Sequence, residues 1–247
     1  TKFKKLGRMK VYIITMDSRV ERTMEMYDYF CKKYWPTVDF TVLGFQEPKF
    51  KADIVKFISL GIDEGPHKLN NQLYNFFKSI ETDQFIFAVD DMPILEKVDA
   101  NKIEYVYEIL KTNSSVGRIG LTIDNADRPY EKIQDITDNS FLFRNLPMYN
   151  GYRLSATWSA WNREYFLLYL NDYENLWQWE VDGSNRSNSD HYEVLGTVPA
   201  IITHAHLIQH GEFRHNWYMP CIKNNKYKPN FIMNNDDKNK LKQIYNL

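Results

Sequence analysis

The feature that most limits the fold is an unbroken apolar run at residues 85–89, Phe-Ile-Phe-Ala-Val, which stops abruptly at Asp90 and Asp91. A short run that is apolar at every position is typical of a strand with both faces covered, because an alternating pattern would leave one face to solvent. Pro93 prevents simple continuation of that strand. The run therefore predicts a central strand that is covered on both faces and ends in two adjacent carboxylates.

The sequence before this run predicts a β-α-β unit. Residues 11–14 (Val-Tyr-Ile-Ile) have the character of a buried strand and lead into a polar loop at 15–19. Residues 40–45 predict a second strand, and the amphipathic helix between the two strands is closed by Pro36. The apolar face of that helix consists of Met24, Tyr27, Cys31 and Tyr34. A unit of this kind builds parallel sheets.

Further helices and strands are predicted along the rest of the chain. Helical faces are formed by Leu69, Leu73, Phe76, Phe77 and Ile80, and by Ile103, Val106, Tyr107 and Leu110 after a cap at Asp99. Strands are predicted at 116–121, 141–143, 156–161 and 197–207, the middle two in an added antiparallel layer, with a short helix at 163–170. We expect a polar, exposed excursion at 124–139 and, from residue 211 onward, a tail or lid without clear periodicity.

Composition limits the classes of protein to which the chain can belong. Its 247 residues are 43% hydrophobic and carry a net charge of -1, which fits one globular domain and gives no overall field toward nucleic acid or an anionic membrane. No apolar run approaches the roughly 20 residues of a membrane span. We therefore expect a cytoplasmic protein without stable membrane insertion. Cys31 and Cys221 are interpreted as buried thiols, since they lack the spacing of a metal site.

The acidic pair suggests a specific chemistry. Adjacent carboxylates at the end of a buried strand repel each other unless a cation or hydrogen-bond donors neutralise them. Mg²⁺ and Mn²⁺ prefer carboxylate and phosphate oxygens, so a metal held there could bridge a nucleotide diphosphate. The alternative is that Asp90 and Asp91 merely cap the turn before Pro93.

Two blocks of sequence resemble a known enzyme family. The first runs from the strand at 11–14 through the loop at 15–19 to Phe-Ile-Phe-Ala-Val-Asp-Asp-Met at 85–92. The second comprises a tryptophan-bearing strand within 154–165 and then 175–184, where Trp-Gln-Trp-Glu precedes a Gly-Ser turn. In their order and spacing, over roughly residues 10 to 210, these blocks resemble nucleotide-sugar-dependent GT-A glycosyltransferases of bacterial or phage type.

The resemblance implies an α/β fold of the GT-A (Rossmann-like) type, a three-layer α/β/α sandwich with a mixed central sheet. It implies one domain over 1–247, with a nucleotide-sugar-binding half at 10–123, an acceptor-side half at 140–210 and a lid or tail at 211–247. The implied donor is a UDP-sugar, used with Mn²⁺ or Mg²⁺. The acceptor could be a glycan, a lipid-linked sugar, a protein or a modified DNA base.

The resemblance also assigns the metal ligands, and strand ends, a helix start and a cationic side chain suggest further donor-site residues. Val89 stands where such enzymes often carry the first acid of Asp-x-Asp, so the metal falls mainly to Asp91, while Asp90 would contact the ribose or the donor sugar. His206 or His204 would complete the metal site. Beyond these, the candidate donor-binding residues are Thr15, Ser18 and Arg19 after the first strand, Lys68, Asn71 and Gln72 at a helix start, and Arg214 over the diphosphate. An N-cap role explains the helix-start residues equally well. For Arg214 the alternative is ordinary solvated surface charge.

Inverting sugar transfer requires a base near the acceptor hydroxyl, and a carboxylate is the usual choice. Glu180 is the candidate, because apolar neighbours raise a carboxylate's pKa and aromatic rings offer stacking faces for a sugar. Asp182 is the reserve candidate. The proposed neighbours of Glu180 are Trp158, Trp177 and Trp179. The alternative is that Glu180 forms an ion pair with Arg186 or Arg163.

Two other classes of function fit parts of this pattern. A nucleotidyl or phosphoryl transferase also uses aspartates at strand ends with Mg²⁺, although the glycine-rich and Gly-Lys-Ser/Thr phosphate loops are absent. A carbohydrate-binding module without catalysis could use the same tryptophans. The sequence favours inverting glycosyl transfer.

Overall fold

The computed structural model describes residues 9–123, 125–126, 128–146, 151–206, 208–209, 212–213 and 233–247. These residues form a nine-stranded mixed sheet in the order β3-β2-β1-β4-β8-β5-β9-β7-β6, and a two-stranded sheet of β10 and β11. The strands are β1 (Lys10–Ile14), β2 (Asp39–Gly44), β3 (Val55–Ser59), β4 (Gln84–Val89), β5 (Val116–Gly120), β6 (Tyr130–Thr137), β7 (Ser140–Asn145), β8 (Ser159–Asn162), β9 (Glu193–Val198), β10 (Ile208–Gln209) and β11 (Glu212–Phe213).

Helices cover both faces of the large sheet. They are α1 (Val20–Tyr34), α2 (Leu69–Ser79), α3 (Ala100–Thr112), α4 (Arg163–Tyr169), α5 (Leu176–Gln178), a π-helical turn at Trp179–Gly183, α6 (Ser184–Ser187) and α7 (Asn235–Tyr245). Asp99 caps α3 as predicted, because its side chain accepts hydrogen bonds from the amides of Asn101 and Lys102. In the part of the chain that the structure describes, no helix combines the length and apolar character that crossing a membrane requires.

The alternation of side chains along β1 shows why the sheet is covered on both faces. Val11 and Ile13 pack in the same core cluster as the buried face of α1. Tyr12 and Ile14 point the other way, into a second cluster with α2. Because successive strand residues face opposite sides, the apolar strands need both layers. The predicted three-layer α/β/α architecture with a mixed central sheet is confirmed.

The order of the first strands creates a crevice. β1 lies between β2 and β4 and is parallel to both, with Ile14 level with Leu43 on one side and Val89 on the other. The chain leaves β1 toward β2 and later returns across it to β4. Ligands of open α/β sheets bind at such a reversal of strand order, beyond the carboxyl ends of the strands. The loop at 15–19 and the acidic pair both begin at this point.

Strand β8 differs from the prediction of an added layer. It is inserted in the central sheet, antiparallel to both β4 and β5. Ala160 and Trp161 are fully buried on opposite faces. The sequence pattern could not reveal this position, because a strand inside the sheet and a strand in a covered extra layer have the same apolar character. β7 also belongs to this sheet, paired with β9.

Three other segments differ from expectation. Part of the predicted excursion at 124–139 is the edge strand β6, in which every residue is exposed or half-buried. The last predicted strand, 197–207, is wrong over residues 199–206, because Pro199 follows Val198 and cannot donate to a sheet. Within the region expected to lack periodicity, Asn235–Tyr245 is a helix. Cys31 is a buried thiol as predicted, and Cys221 lies outside the described residues.

Helix α7 is held against α1 by a buried carboxylate. Asp237 is fully buried and accepts hydrogen bonds from Lys33 Nζ at 2.6 Å, Tyr29 Oη at 3.2 Å and Tyr34 Oη. The cost of burying this charge is offset by the cation and the two hydroxyls. The end of α7 is thereby brought toward the carboxyl end of β4.

Candidate active site

The two carboxylates of the acidic pair have different surroundings. Asp90 is buried, with 4% of its surface exposed, and both of its oxygens have partners. Thr15 Oγ1 donates to Oδ2 at 2.6 Å, and Arg19 Nη1 lies 3.1 Å from Oδ1. Burial raises the pKa of Asp90, while the Arg19 charge opposes that rise. Asp90 therefore ties β4 to β1 and the start of α1, and its contact with a ribose or sugar stays a prediction.

Asp91 has an oxygen without a partner. Its Oδ1 is buried, and no donor among the described residues forms a hydrogen bond to it. Burial raises the pKa of Asp91, and the nearby charges of His206 and Arg19 act in the opposite direction. A buried carboxylate oxygen without a donor is costly. It is the kind of group that a cation would satisfy.

The histidines reach this region through a short antiparallel contact. His204 forms an isolated bridge with Ile94, and the Leu95 amide donates to the Thr203 carbonyl at 2.9 Å. The chain after the acidic pair therefore holds the histidine segment alongside it. The rings of His204 and His206 lie 5.1 Å apart. Both histidines lie in a loop with one bridge instead of in the predicted strand, and their metal-binding role stays a prediction.

A cavity of about 550 Å³ opens at the carboxyl end of β4. Val89 and Met92, on either side of the acidic pair in sequence, line it together with His206 and Glu180. The volume lies within the range of small-molecule sites. The other lining residues are Asn125, Arg128, Tyr152, Ser155, Ala156, Thr157, Leu176 and Trp177.

Glu180 enters this cavity from the helical segment after α5. Its Oε1 accepts a 2.5 Å hydrogen bond from the Ala156 amide, and the Ala156 carbonyl accepts from the Val89 amide at 3.0 Å. Glu180 is thus linked to the end of β4 through a single residue. The alternative ion pairs are formed with other residues, because Arg186 pairs with Glu174 and Arg163 with Asp83.

Only one of the three tryptophans predicted to neighbour Glu180 lines the cavity with it. Trp177 is 67% exposed and lines the cavity, whereas Trp158 and Trp179 are fully buried core residues. Trp158 Nε1 donates to the Met92 carbonyl at 2.9 Å. The prediction that Trp158 and Trp179 offer stacking faces is therefore wrong. Trp158 instead fixes the turn that carries Asp91.

The remaining predicted site residues lie elsewhere. Gln72 Nε2 donates to the Ile62 carbonyl at 2.6 Å, and Lys68 at the N-cap of α2 makes no side-chain capping bond. Ser18, Lys68, Asn71 and Asp182 are exposed, and none of them lines the cavity. Arg214 is outside the described residues. The roles of all these residues stay predictions.

The sequence analysis missed several cavity residues. Ser155 and Thr157 precede β8, and because β8 is antiparallel to β4 its beginning lies at the end of β4. The sequence could have indicated Ser155 and Thr157 only if the pairing of β8 with β4 had been known. Arg128 and Tyr152 belong to turn-rich stretches without a pattern that would single them out.

The end of α7 contributes a group near the acidic pair. Burial and the negative charge of Asp90 raise the pKa of Tyr245 to about 12. The Arg22 guanidinium lies 5.2 Å from the centre of the Tyr245 ring. The region around Asp90 thus includes cationic and phenolic groups from α1 and α7.

The residues present fit a divalent ion held by few protein ligands. Over the described ranges no three acidic, histidine or cysteine side chains gather into a metal cage. Asp91, with its orphaned oxygen, and the neighbouring His206 offer two ligands. Mg²⁺ commonly binds through one or two carboxylates plus substrate phosphates and water. Phosphate oxygens of a bound substrate would then complete the coordination of such an ion.

Comparison with known proteins bears on the fold. No family model and no curated protein matches the sequence. The crystal structure of GalNAc-T7 with UDP, GalNAc and Mn²⁺ is similar with a TM-score of 0.52 and 12% identity. The match covers 83% of this chain and 44% of that one. The fold is of the GT-A type. This chain thus spans less than half the length of the GalNAc-T7 chain.

Two further solved structures are less similar. HddC from Yersinia pseudotuberculosis has a TM-score of 0.43 and 11% identity, over 81% of this chain and 93% of that one. UTP-bound UGPase from Acinetobacter baumannii has a TM-score of 0.43 and 8% identity, over 81% and 88%. At such identities a likeness concerns the fold alone. The function must be argued from the residues of the site.

Proposed function

We propose that this protein is a metal-dependent glycosyltransferase that moves a sugar from a UDP-sugar to an acceptor hydroxyl with inversion. One observation carries the proposal. Glu180 and His206 line one cavity, and Asp91 stands beside His206 at the same end of β4. These three groups come from separate parts of the chain. A constellation of titratable groups in a cleft is a candidate active site.

Asp91 and His206 would hold Mn²⁺ or Mg²⁺. When bound, the ion supplies positive charge that stabilises the departing diphosphate. Asp90 would position Asp91 instead of binding the ion, because its bonds to Thr15 and Arg19 fix the backbone from which Asp91 projects. That rigidity favours a preorganised site.

Glu180 is the proposed base. Its carboxylate takes the proton of the acceptor hydroxyl as the acceptor oxygen forms its bond to the anomeric carbon. The bond between that carbon and the diphosphate oxygen breaks, and the electron pair leaves with the UDP. The Ala156 amide holds the Glu180 carboxylate in place at the wall of the cavity, and a positioned base reacts more readily than a mobile one.

The test is a donor panel measured by thermal shift, with and without Mn²⁺, on wild type, Asp91→Ala and the control Asp172→Ala. Asp172 is exposed and lies outside the cavity. We expect UDP and UDP-sugars to stabilise wild type and the control only with the metal, and Asp91→Ala to lose this response. Metal-dependent UDP binding in Asp91→Ala would contradict the assigned ligand. Stabilisation by nucleoside triphosphates alone would favour a nucleotidyl or phosphoryl transferase.

A further inference from the structure

We propose that the acceptor is a carbohydrate whose ring is held between Trp177 and Tyr152 at the mouth of the cavity. The proposal rests on the proposed function, since it assigns the acceptor class of the same site. It starts from two aromatic side chains that line the cavity and are exposed, Trp177 at 67% and Tyr152 at 45%.

Trp177 faces the cavity because of its helical position. Residues two apart on a helix lie about 200° apart around its axis, and Trp179 is fully buried in the core. Trp177 is therefore directed away from that core. An indole exposed within a concave site provides a flat apolar face for a ligand.

Tyr152 has an unusual backbone. Its φ of 56° lies in the left-handed region, which bulky residues seldom adopt. Arg118 Nη1 donates to the Tyr152 carbonyl at 3.1 Å, so the buried core holds this conformation in place. Backbone strain that the surroundings maintain is found preferentially at functional sites. Here its effect is to present the phenol ring at the cavity.

Arg128 orients that ring. Its Nη1 donates to the Gly151 carbonyl at 2.6 Å, and its guanidinium lies 5.7 Å from the centre of the Tyr152 ring. A Cβ at residue 151 would stand 2.9 Å from Arg128 Nη1, so glycine allows this close approach. Arg128 is therefore a positioning residue for Tyr152.

The rest of the lining suits a sugar. A sugar ring has an apolar C–H face, which packs on aromatic rings, and a rim of hydroxyls that need donors and acceptors. The cavity supplies the hydroxyls of Ser155 and Thr157, the amide of Asn125 and the carboxylate of Glu180. Its volume of about 550 Å³ is ample for one or two rings. The net charge of -1 gives no field to attract a DNA acceptor.

The experiment is saturation-transfer NMR on the full chain. The probes are methyl glycosides of glucose, galactose, mannose and N-acetylglucosamine, with thymidine and adenosine as the nucleobase arm. We expect at least one glycoside to bind wild type and Trp177→Ala to bind it at least about tenfold more weakly. The control Tyr173→Ala, which removes an aromatic residue 82% exposed and outside the cavity, should bind like wild type.

Tyr152→Gly separates structure from recognition. Glycine accepts the left-handed backbone without strain, so this variant should melt at or above the wild-type temperature and still bind the glycoside more weakly. Glycoside binding unchanged in both Trp177→Ala and Tyr152→Gly would overturn the proposal, as would binding of the nucleosides alone. If no glycoside binds while UDP does, the carbohydrate subsite fails and the proposed function stands. Trp177-dependent glycoside binding without any UDP binding supports the subsite and overturns the proposed function.

Discussion

The indole Nε1 of Trp158 donates a 2.9 Å hydrogen bond to the carbonyl of Met92, the residue after the acidic pair. Both residues are buried, at 0% and 5% exposure. A core tryptophan therefore holds the turn from which Asp91 projects. Trp158, which was predicted to stack on a sugar, instead supports the candidate metal site from within the core.

Trp158→Phe should destabilise the protein and weaken UDP binding together. Phenylalanine retains much of the packing but leaves the buried Met92 carbonyl without its donor, at a cost of about 1–3 kcal/mol. Urea unfolding measures the stability, and titration with UDP and Mn²⁺ measures the site. The control Trp177→Phe removes an exposed indole and should unfold like wild type. Equal stability of Trp158→Phe and wild type would contradict the assigned role of this bond.

Glu180→Gln should retain UDP affinity and lose transfer. The glutamine oxygen can still accept the Ala156 amide, so the fold is preserved, while the group that takes the proton is gone. We expect kcat to fall by about 10² to 10⁴. Asp172→Asn is the control and should transfer normally, because Asp172 is exposed and outside the cavity. Normal turnover in Glu180→Gln would place the base elsewhere.

Arg19→Ala should destabilise the protein through Asp90. The buried carboxylate would keep its bond to Thr15 but lose its cation, and since the Arg19 side chain is 33% exposed, solvent reduces the cost to about 1–3 kcal/mol. Adding Asp90→Asn removes the buried charge. In a double-mutant cycle followed by urea unfolding, Arg19→Ala should cost less in the Asp90→Asn background. Identical costs in both backgrounds would show that the pair is not coupled.

Asp28 should contribute to stability in a pH-dependent manner. Burial opposes its ionisation, but hydrogen bonds from the Ile54 and Asp53 amides and from Lys32 outweigh burial and lower its pKa from 3.8. Because the pKa of Asp28 is lower in the folded state, its ionised form stabilises the fold at pH values above the pKa of the unfolded state. This contribution is lost as the pH falls through the pKa of the folded state. Asp28→Asn should cost about 1.5–3 kcal/mol at pH 7.

Urea unfolding across the acid range checks this prediction. The difference between wild type and Asp28→Asn should shrink below pH 3.8, where the unfolded carboxyl is already protonated. The control is Asp53→Asn, which removes a 77% exposed partner of Lys32. It should change stability little at any pH, because exposed ion pairs contribute little. A cost of Asp28→Asn that stays constant with pH would assign the effect to packing.

Local patterns were sufficient to predict the first strands and helices of the fold. The helix with Met24 and Tyr27 on its buried face, and the apolar run that ends at Asp90, are set by periodicity and by residues that stop a strand. The first strand, the helix and the second strand also follow one another directly in the sequence. A β-α-β unit therefore fixes both the direction and the neighbour of each strand.

The candidate site could be predicted only in part. Asp91, His206 and Glu180 were chosen from residue type and from the resemblance, and the fold brings them near one another. Whether Trp177 or Trp179 faces the cavity depends on which side of a short helical segment meets the core. The contact of His204 with Ile94 depends on tertiary pairing, for which no local pattern exists.

β4 and β5 do not pair with each other; β8 lies between them and is hydrogen-bonded to both. During synthesis, the strand that carries Phe85 and Phe87 therefore leaves the ribosome with one edge open. That edge stays available to other chains until residues 159–162 have emerged, and exposed strand edges invite aggregation. A nascent or truncated chain that stops short of β8 should accordingly depend on chaperones.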